Sequence, residues 1–491
     1  MALIPNEIAD ADNVLYNIYM KRKITDKKRK KNKRPRPISY GFAISPLDGR
    51  YKDNVKDLGP IFSEYGLMKY RFAIEVKYFL ALAKTGVMPR KISQKENELL
   101  NSMIRKFSTK DFTQIKKIEK TTNHDVKAVE YFLKDEMKNT SFSDRLGYTH
   151  LGRTSEDINN LSYALMLRDG IKIIKAKYKE AEKTISKLAK ENKKTPMLAL
   201  THGQPASPTT FGWEMNVFAE RLRYGIKALD EFKLKVKLNG ATGGDNALHT
   251  AYPRINWRKF ANDFILGLNE KDSVKFVNNP FTTQIESHDT YRELFDIIRG
   301  LNLVLIDFSK DIWSYVSRGI IIQIPKAGEV GSSAMPQKIN PINFENAEGN
   351  LGLANSLCEF FGRKLTVSRL QRDLSDSTVE RNFGLVFGHV KIALVYILKG
   401  LGRVKVDKGT AKTELEKHWE IVSEAYQVIL RSAGIPNGYE LLKEFTRGKI
   451  VDKKAMHSFI EEIAKKYNLS KGAFDKLKKI TPENYIGDRS F

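Results

Sequence analysis

Apolar residues recur along this chain in steps of three and four, the spacing that places them on one face of a helix. The longest run is Tyr291, Leu294, Ile298, Leu301, Leu305, Phe308, Ile312 and Tyr315, an unbroken alternation of the kind that packs helices into a bundle seam. Phe211, Met215, Phe218, Leu222, Ile226 and Leu229 form a second stripe, Phe344, Ala347, Leu351, Ala354, Cys358 and Phe361 a third, and Phe383, Phe387, Val390, Leu394, Ile397 and Leu401 a fourth. Aromatic residues at this spacing read as core.

Strand signals are mostly lacking, and Gly240 to Tyr252 reads as loop at best, so the predicted class is all-α. Helices of this length present more apolar surface than one chain covers, which predicts a bundle continuing across subunits. Several short helices are expected from Pro60 to Glu136, with Thr121 to Asp125 opening one over Val126 to Lys138. Short amphipathic segments rich in Lys and Glu after about residue 400 predict a small helical domain. The predicted organisation is a segment over 1–40, an N-terminal helical domain over 41–143, a central long-helix domain over 144–400 and a C-terminal domain over 401–491.

Between the stripe that ends at Tyr315 and the one that starts at Phe344 the polar pattern changes. Residues 327–341, Ala-Gly-Glu-Val-Gly-Ser-Ser-Ala-Met-Pro-Gln-Lys-Ile-Asn-Pro, hold two glycines, two adjacent serines, a lysine and two prolines, then feed a helix. A mobile loop with hydroxyls and a cation at a helix N-terminus suits binding anions and stabilising a negatively charged intermediate, which makes it a candidate lid. A solvated connector has the same composition. Thr201 to Pro208 is predicted to be a loop joining two long helices, and its His202 has flanks unlike those of a core histidine. His124 is predicted at the positive end of a helix, either facing an anionic substrate or standing by while Thr122 and Asn123 cap. Arg153 to Asp157 opens another helix with hydroxyls before acids.

Composition narrows the function classes. With 41% apolar residues in 491, the chain can bury a sizeable interior. Its one cysteine cannot form an intrachain disulfide, which predicts a reducing, cytoplasmic setting. The formal net charge is +26. Residues 21–36 contribute eleven Lys/Arg against Asp26, so most of the excess lies elsewhere and anionic ligands suit the whole chain. The run from Lys27 to Arg36 is predicted to stay unfolded, as a solvated tail, a nuclear address or a nucleic-acid tether. Nucleic acid is not the expected partner of the rest. No secretory signal is evident at the start, and the most apolar run, Val386 to Leu401, is too short and too interrupted to span a bilayer. No His/Cys pair stands at metal-ligand spacing, no phosphate loop or dinucleotide fingerprint occurs, and Ser332 lacks the context of a nucleophile elbow. A cofactor-free, metal-free reaction using Ser, His, Lys and Arg is what remains.

Gly331 to Asn340, with its spacing of Ser, Met-Pro, Lys and Asn, resembles the signature of the fumarase/aspartase superfamily, whose members eliminate fumarate from a succinyl-bearing substrate. Ser45-Pro46-Leu47-Asp48-Gly49-Arg50-Tyr51, Thr121 to Asp125, Thr154 to Asp157, Thr201 to Pro205 and Arg372 to Thr378 together resemble the bacterial-type adenylosuccinate lyase family. That resemblance implies an all-helical, three-domain homotetramer with sites assembled from three subunits. It implies cleavage of adenylosuccinate to AMP and fumarate, and of the succinylated aminoimidazole carboxamide ribotide to the carboxamide ribotide and fumarate. By the same resemblance Ser332 is the base that takes the Cβ proton and His202 the acid that protonates the leaving nitrogen. Glu345 orients His202. Lys338 and Asn340 hold the succinyl carboxylates with Ser333, Thr122 and Gln284. Arg50, Tyr51, Arg372, Ser377 and Arg381 hold the phosphate, and Asn123, His124, Asp125, Thr154, Ser155 and Asn346 line the base and succinyl pocket. Read without the resemblance, Arg372 and Arg381 are surface cations of a basic protein. Another fumarate-releasing member, such as argininosuccinate lyase, would share the lid, and so would a catalytically silent protein on the same scaffold.

Overall fold

A computed structural model describes residues 42–491, and the expectations for the segment before Gly41 lie outside them. The chain divides into two compact units, Met1–Arg50 and Tyr51–Phe491. Within the described part of the first, the amides of Asp48 and Gly49 both donate to the Ser45 carbonyl at 3.1 and 3.2 Å, which makes Ser45 to Gly49 a tight turn ending at the exposed Arg50.

The second unit is built mainly from helices: α1 Glu64–Leu82, at 19 residues longer than the short helices expected there, α2 Asp125–Met137, α3 Ser155–Glu191, α4 Phe211–Glu231, α5 Asp289–Ser317, α6 Ile342–Leu365, the short α7 Ser375–Glu380 and α8 Phe383–Leu401. Every residue of the four apolar stripes is buried. Helices α5, α6 and α8 bring their seams together at Phe295, Phe361 and Phe383, whose ring centroids lie 4.9 to 5.3 Å apart. The stretch Ser375–Leu401 is long and apolar enough to cross a membrane, but 67% of its most apolar window is buried inside the protein, as in a core helix. One hydrophobic cluster runs from Leu58 to Ala411, and a second gathers Leu198 with residues from Leu415 to Leu477.

Among the described residues three two-stranded ribbons interrupt the helices, and one of them corrects the reading of the sequence. Residues 201–208 do not form a plain loop: Pro196–Thr201 (β1) and Gln204–Thr210 (β2) pair as an antiparallel hairpin. Its two connecting residues, His202 and Gly203, have φ of 53° and 73°, the positive pair a type I′ turn demands. The strands are hard to see in sequence because three of their residues are proline and few are β-branched. Gly240 to Tyr252 is likewise more than loop, since Asn246–Ala251 is helical. Lys233–Val236 (β3) pairs in parallel with Lys275–Asn278 (β4), and Ile321–Gln323 (β5), just before the loop over 327–341, pairs antiparallel with Val404–Val406 (β6).

Candidate active site

Four separated segments converge on one cavity of about 590 Å³, lined by Asn123, His124, Asp125, Thr154, Ser155, Gln284, Arg372, Ser377 and Arg381 among the predicted residues. Two helix starts point into it. His124 is itself the N-cap of α2, its Nδ1 accepting from the Lys127 amide at 3.2 Å, while Asn123 ends the preceding helix with φ of 49°. Thr122 stands just behind, its hydroxyl donating to the His124 carbonyl at 3.3 Å. At the start of α3, the Thr154 amide donates to Asp157 Oδ2 at 3.0 Å, and Ser155 follows in the first turn. The helix dipole at both starts favours negative charge in the cavity.

The cations are held in place by acids. Asp125 Oδ2 accepts from Arg71 at 2.8 Å and from Arg381 at 2.6 Å. Burial would raise the Asp125 carboxyl, but the two guanidiniums outweigh it and hold it well below the usual range. Arg372 donates to Gln284 Oε1 at 3.3 Å, with Glu156 at 3.4 Å and Asp376 at 3.5 Å on its other sides. Gln284 is fixed through its backbone, since the buried Lys237 ammonium donates to its carbonyl at 2.7 Å and to that of Gly240 at 2.8 Å. Lys237 also lies 3.1 Å from Asp157. Burial would raise Asp157 too, yet Lys237 and Arg153 hold it low.

The remaining predicted residues lie elsewhere in the chain. Ser332, Ser333, Lys338 and Asn340 are on the loop before α6, where Asn340 Nδ2 donates to the Gly331 carbonyl at 3.3 Å and Gln323 to the Ile339 carbonyl at 2.7 Å. Ser332 Oγ accepts from the Met335 amide at 3.0 Å and from the Ala334 amide at 3.4 Å. Two amides aimed at one hydroxyl oxygen favour its anionic form. A Cβ at Gly331 would stand 2.2 Å from the Lys338 carbonyl oxygen, so only glycine allows the loop to fold back this closely. His202 is exposed at the hairpin tip. Arg318 donates to the Leu198 carbonyl at 2.9 Å, and Ser207 donates to Glu424, so the hairpin is braced at its base. Near the start of α6, the Glu345 carboxylate accepts from Trp313 Nε1 at 3.2 Å. Asn346 donates to the Tyr51 hydroxyl at 2.8 Å. Arg50 belongs to the first unit.

Sequence reasoning missed Glu119, Asn159, Leu374 and Thr378, which line the cavity, and the layer beneath it: Arg71, Glu156, Lys237, His288, Asp376 and Glu380. The available signal was polar residues on otherwise buried helix faces, such as Glu156, Asn159 and Asn160 on α3.

Comparison with known proteins follows the same lines. A family profile described as Lyase matches residues 49–354, and one described as Adenylosuccinate lyase C-terminal matches residues 368–486. The chain is 45% identical over 456 residues to an adenylosuccinate lyase of Haemophilus influenzae, covering 92% of this chain and 97% of the relative. It is 43% identical over 454 residues to that of Escherichia coli, with 92% and 97% covered. Among solved structures, a fumarate lyase from Mesorhizobium sp. BNC1 superposes with a TM-score of 0.69 at 18% identity, over 88% of this chain and 95% of that one, a likeness of fold.

Proposed function

The chain belongs to the adenylosuccinate lyase family and is a C–N lyase, and from that premise we propose how its residues divide the work. The substrate is adenylosuccinate, and the products are AMP and fumarate. The succinylated aminoimidazole carboxamide ribotide is cleaved in the same way. Ser332 takes the Cβ proton, the C–N electron pair leaves with the purine nitrogen, and His202 protonates that nitrogen. Lys338 and Asn340, with Ser333, Thr122 and Gln284, hold the succinyl carboxylates, and charge gathering on them in the carbanion is stabilised by the ammonium. Arg372, Ser377 and Arg381, joined by Tyr51, hold the phosphate, for which forked guanidinium donors are suited. Asn123, His124, Asp125, Thr154, Ser155 and Asn346 line the rest.

The observation that carries this reading is the donation of the Met335 and Ala334 amides to Ser332 Oγ. A serine hydroxyl is a weak base, and an alkoxide held by two amides is the form the reaction needs. We place Glu345 against the His202 of another copy, and we infer a homotetramer with shared sites. Val217 and Tyr224 on α4, Leu303 and Trp313 on α5, and Leu353 and Phe360 on α6 are large apolar residues exposed on this chain, as an interface between bundles requires. The separate hydrophobic cluster after Leu415 supports a C-terminal domain over 401–491 beside those over 41–143 and 144–400. A cytoplasmic setting fits the buried, unpaired Cys358.

The test is fumarate release from purified protein. Ser332→Ala should lower kcat about 100- to 10,000-fold, the range that a general base contributes. Activity within about tenfold of the parent, or turnover of argininosuccinate in place of adenylosuccinate, would overturn the assignment.

A further inference from the structure

Beneath Arg372 lies a group of buried side chains that none of the proposed steps uses. Ligand-type atoms of Glu156, His288 and Glu380 all fall within 4.8 Å of one another, and the three residues are closed to solvent. His288 Nδ1 stands 3.2 Å from the Leu365 carbonyl oxygen. A carbonyl only accepts, so Nδ1 carries the hydrogen. His288 Nε2 then faces Glu380 Oε1 at 3.6 Å, and among the described residues neither atom has a hydrogen-bond partner.

Two buried acceptors turned toward each other demand a proton between them. At 3.6 Å the carboxyl must turn toward the ring to make this bond. Burial decides where the proton sits, because an imidazolium–carboxylate pair must desolvate two charges while an acid donating to a neutral imidazole desolvates none. Charge counting points the same way. Asp376 and Glu156, the latter itself pushed up to about 7 by burial, already flank Arg372, and an ionised Glu380 would add a further negative charge against the one guanidinium below an anion pocket. Lys237 and Arg71 relieve this only in part, being paired with Asp157 and Asp125.

We propose that Glu380 is a neutral acid at neutral pH, donating its proton to His288 Nε2, and that this neutral pair leaves the charge of Arg372 available to the anionic group of the substrate. Glu380 is thus a positioning residue, acting through Arg372. The link to substrate rests on the reading of Arg372 as an anion ligand, whereas the protonation does not.

The groups facing Glu380 are Asp376 on its own helix, Arg372 in the loop before it, Glu156 and Tyr163 on α3, Arg71 on α1, and His288 and Tyr291 at the start of α5. Burial first, then Glu156 and Asp376, push the Glu380 carboxyl far above the usual range against the pull of Arg372 and Arg71. Burial pushes His288 down to about 4. A raised acid stays neutral until pH climbs through its native pKa, so the attraction of Arg372 for an anion weakens only on the alkaline side.

Infrared difference spectroscopy of the full-length enzyme at pH 7 reads the proton directly. A carboxylic-acid carbonyl band should be present, shift in deuterium oxide and vanish in Glu380→Gln. In kinetics, KM of the parent should climb about tenfold from neutral to alkaline pH. Glu380→Gln, which keeps a neutral donor to His288, should hold KM within about twofold of the parent at pH 7 and stay flat above it. Absence of the acid band, or a stoichiometric divalent cation in the purified protein, would overturn the protonation. A KM raised more than tenfold in Glu380→Gln at pH 7, with the fold intact by circular dichroism, would overturn the link to Arg372. An unchanged KM in Arg372→Gln with the band still present would instead count against the proposed pocket.

Discussion

Arg381 and Asp125, 256 residues apart in the chain, meet through a hydrogen bond of 2.6 Å at the mouth of the cavity. The same carboxylate oxygen accepts from Arg71, which is wholly buried, so Asp125 compensates one hidden charge while steering an accessible one.

Asp125→Asn should therefore cost both stability and binding. Removing the acid leaves the Arg71 guanidinium unpaired, and a loss of about 2 to 4 kcal/mol is expected, toward the low end because Asp125 is partly exposed. Because Asp125 is held below its ordinary pKa, the stabilisation is complete at neutral pH and is lost as pH falls below the ordinary carboxyl range and on through the native pKa. Thermal unfolding of parent and variant should differ at pH 7 and converge in strong acid. An equal gap at every pH would refute this account.

At the hairpin tip, His202→Asn separates the imidazole from the turn. Asparagine tolerates the positive φ of 53° and Asn-Gly favours a type I′ turn, so the variant should melt within a few degrees of the parent. Its kcat should nonetheless fall about 100- to 10,000-fold, the contribution of a general acid. Retained turnover would remove His202 from the mechanism.

Gly331→Ala addresses the loop over 327–341 alone. The added methyl would stand 2.2 Å from a backbone oxygen, and the loop must open to admit it. A displacement near 1 Å at Ser332 predicts a fall in kcat of about 100-fold. Since the loop is largely exposed, calorimetry should show little change in Tm.

Lys237→Met removes a buried ammonium that binds two carbonyls and faces Asp157. Leaving Asp157 without this partner should destabilise the protein by about 3 to 5 kcal/mol in denaturant titration. A variant as stable as the parent would mean that Arg153, at 3.9 Å, is enough to compensate Asp157.

The order of residues by itself determined the helices and their buried faces. Periodicity is a local property, and the stripes from Phe211, Tyr291, Phe344 and Phe383 each predict a face that folding then buries. The resemblance carried by Gly331 to Asn340 and by the five other motifs was equally local, and it named the family that the comparisons show. Only the tertiary structure decided the rest, because it depends on groups far apart in the chain. The hairpin at His202 follows from its neighbours' pairing, which proline-rich strands do not advertise. The meeting of Asp125 with Arg381, the bracing of Arg372 by Glu156 and Asp376, and the buried encounter of His288 with Glu380 each join segments whose spacing obeys no motif. Burial sets which of those charges must be paired and which must be neutral, and burial exists only once the helices have packed.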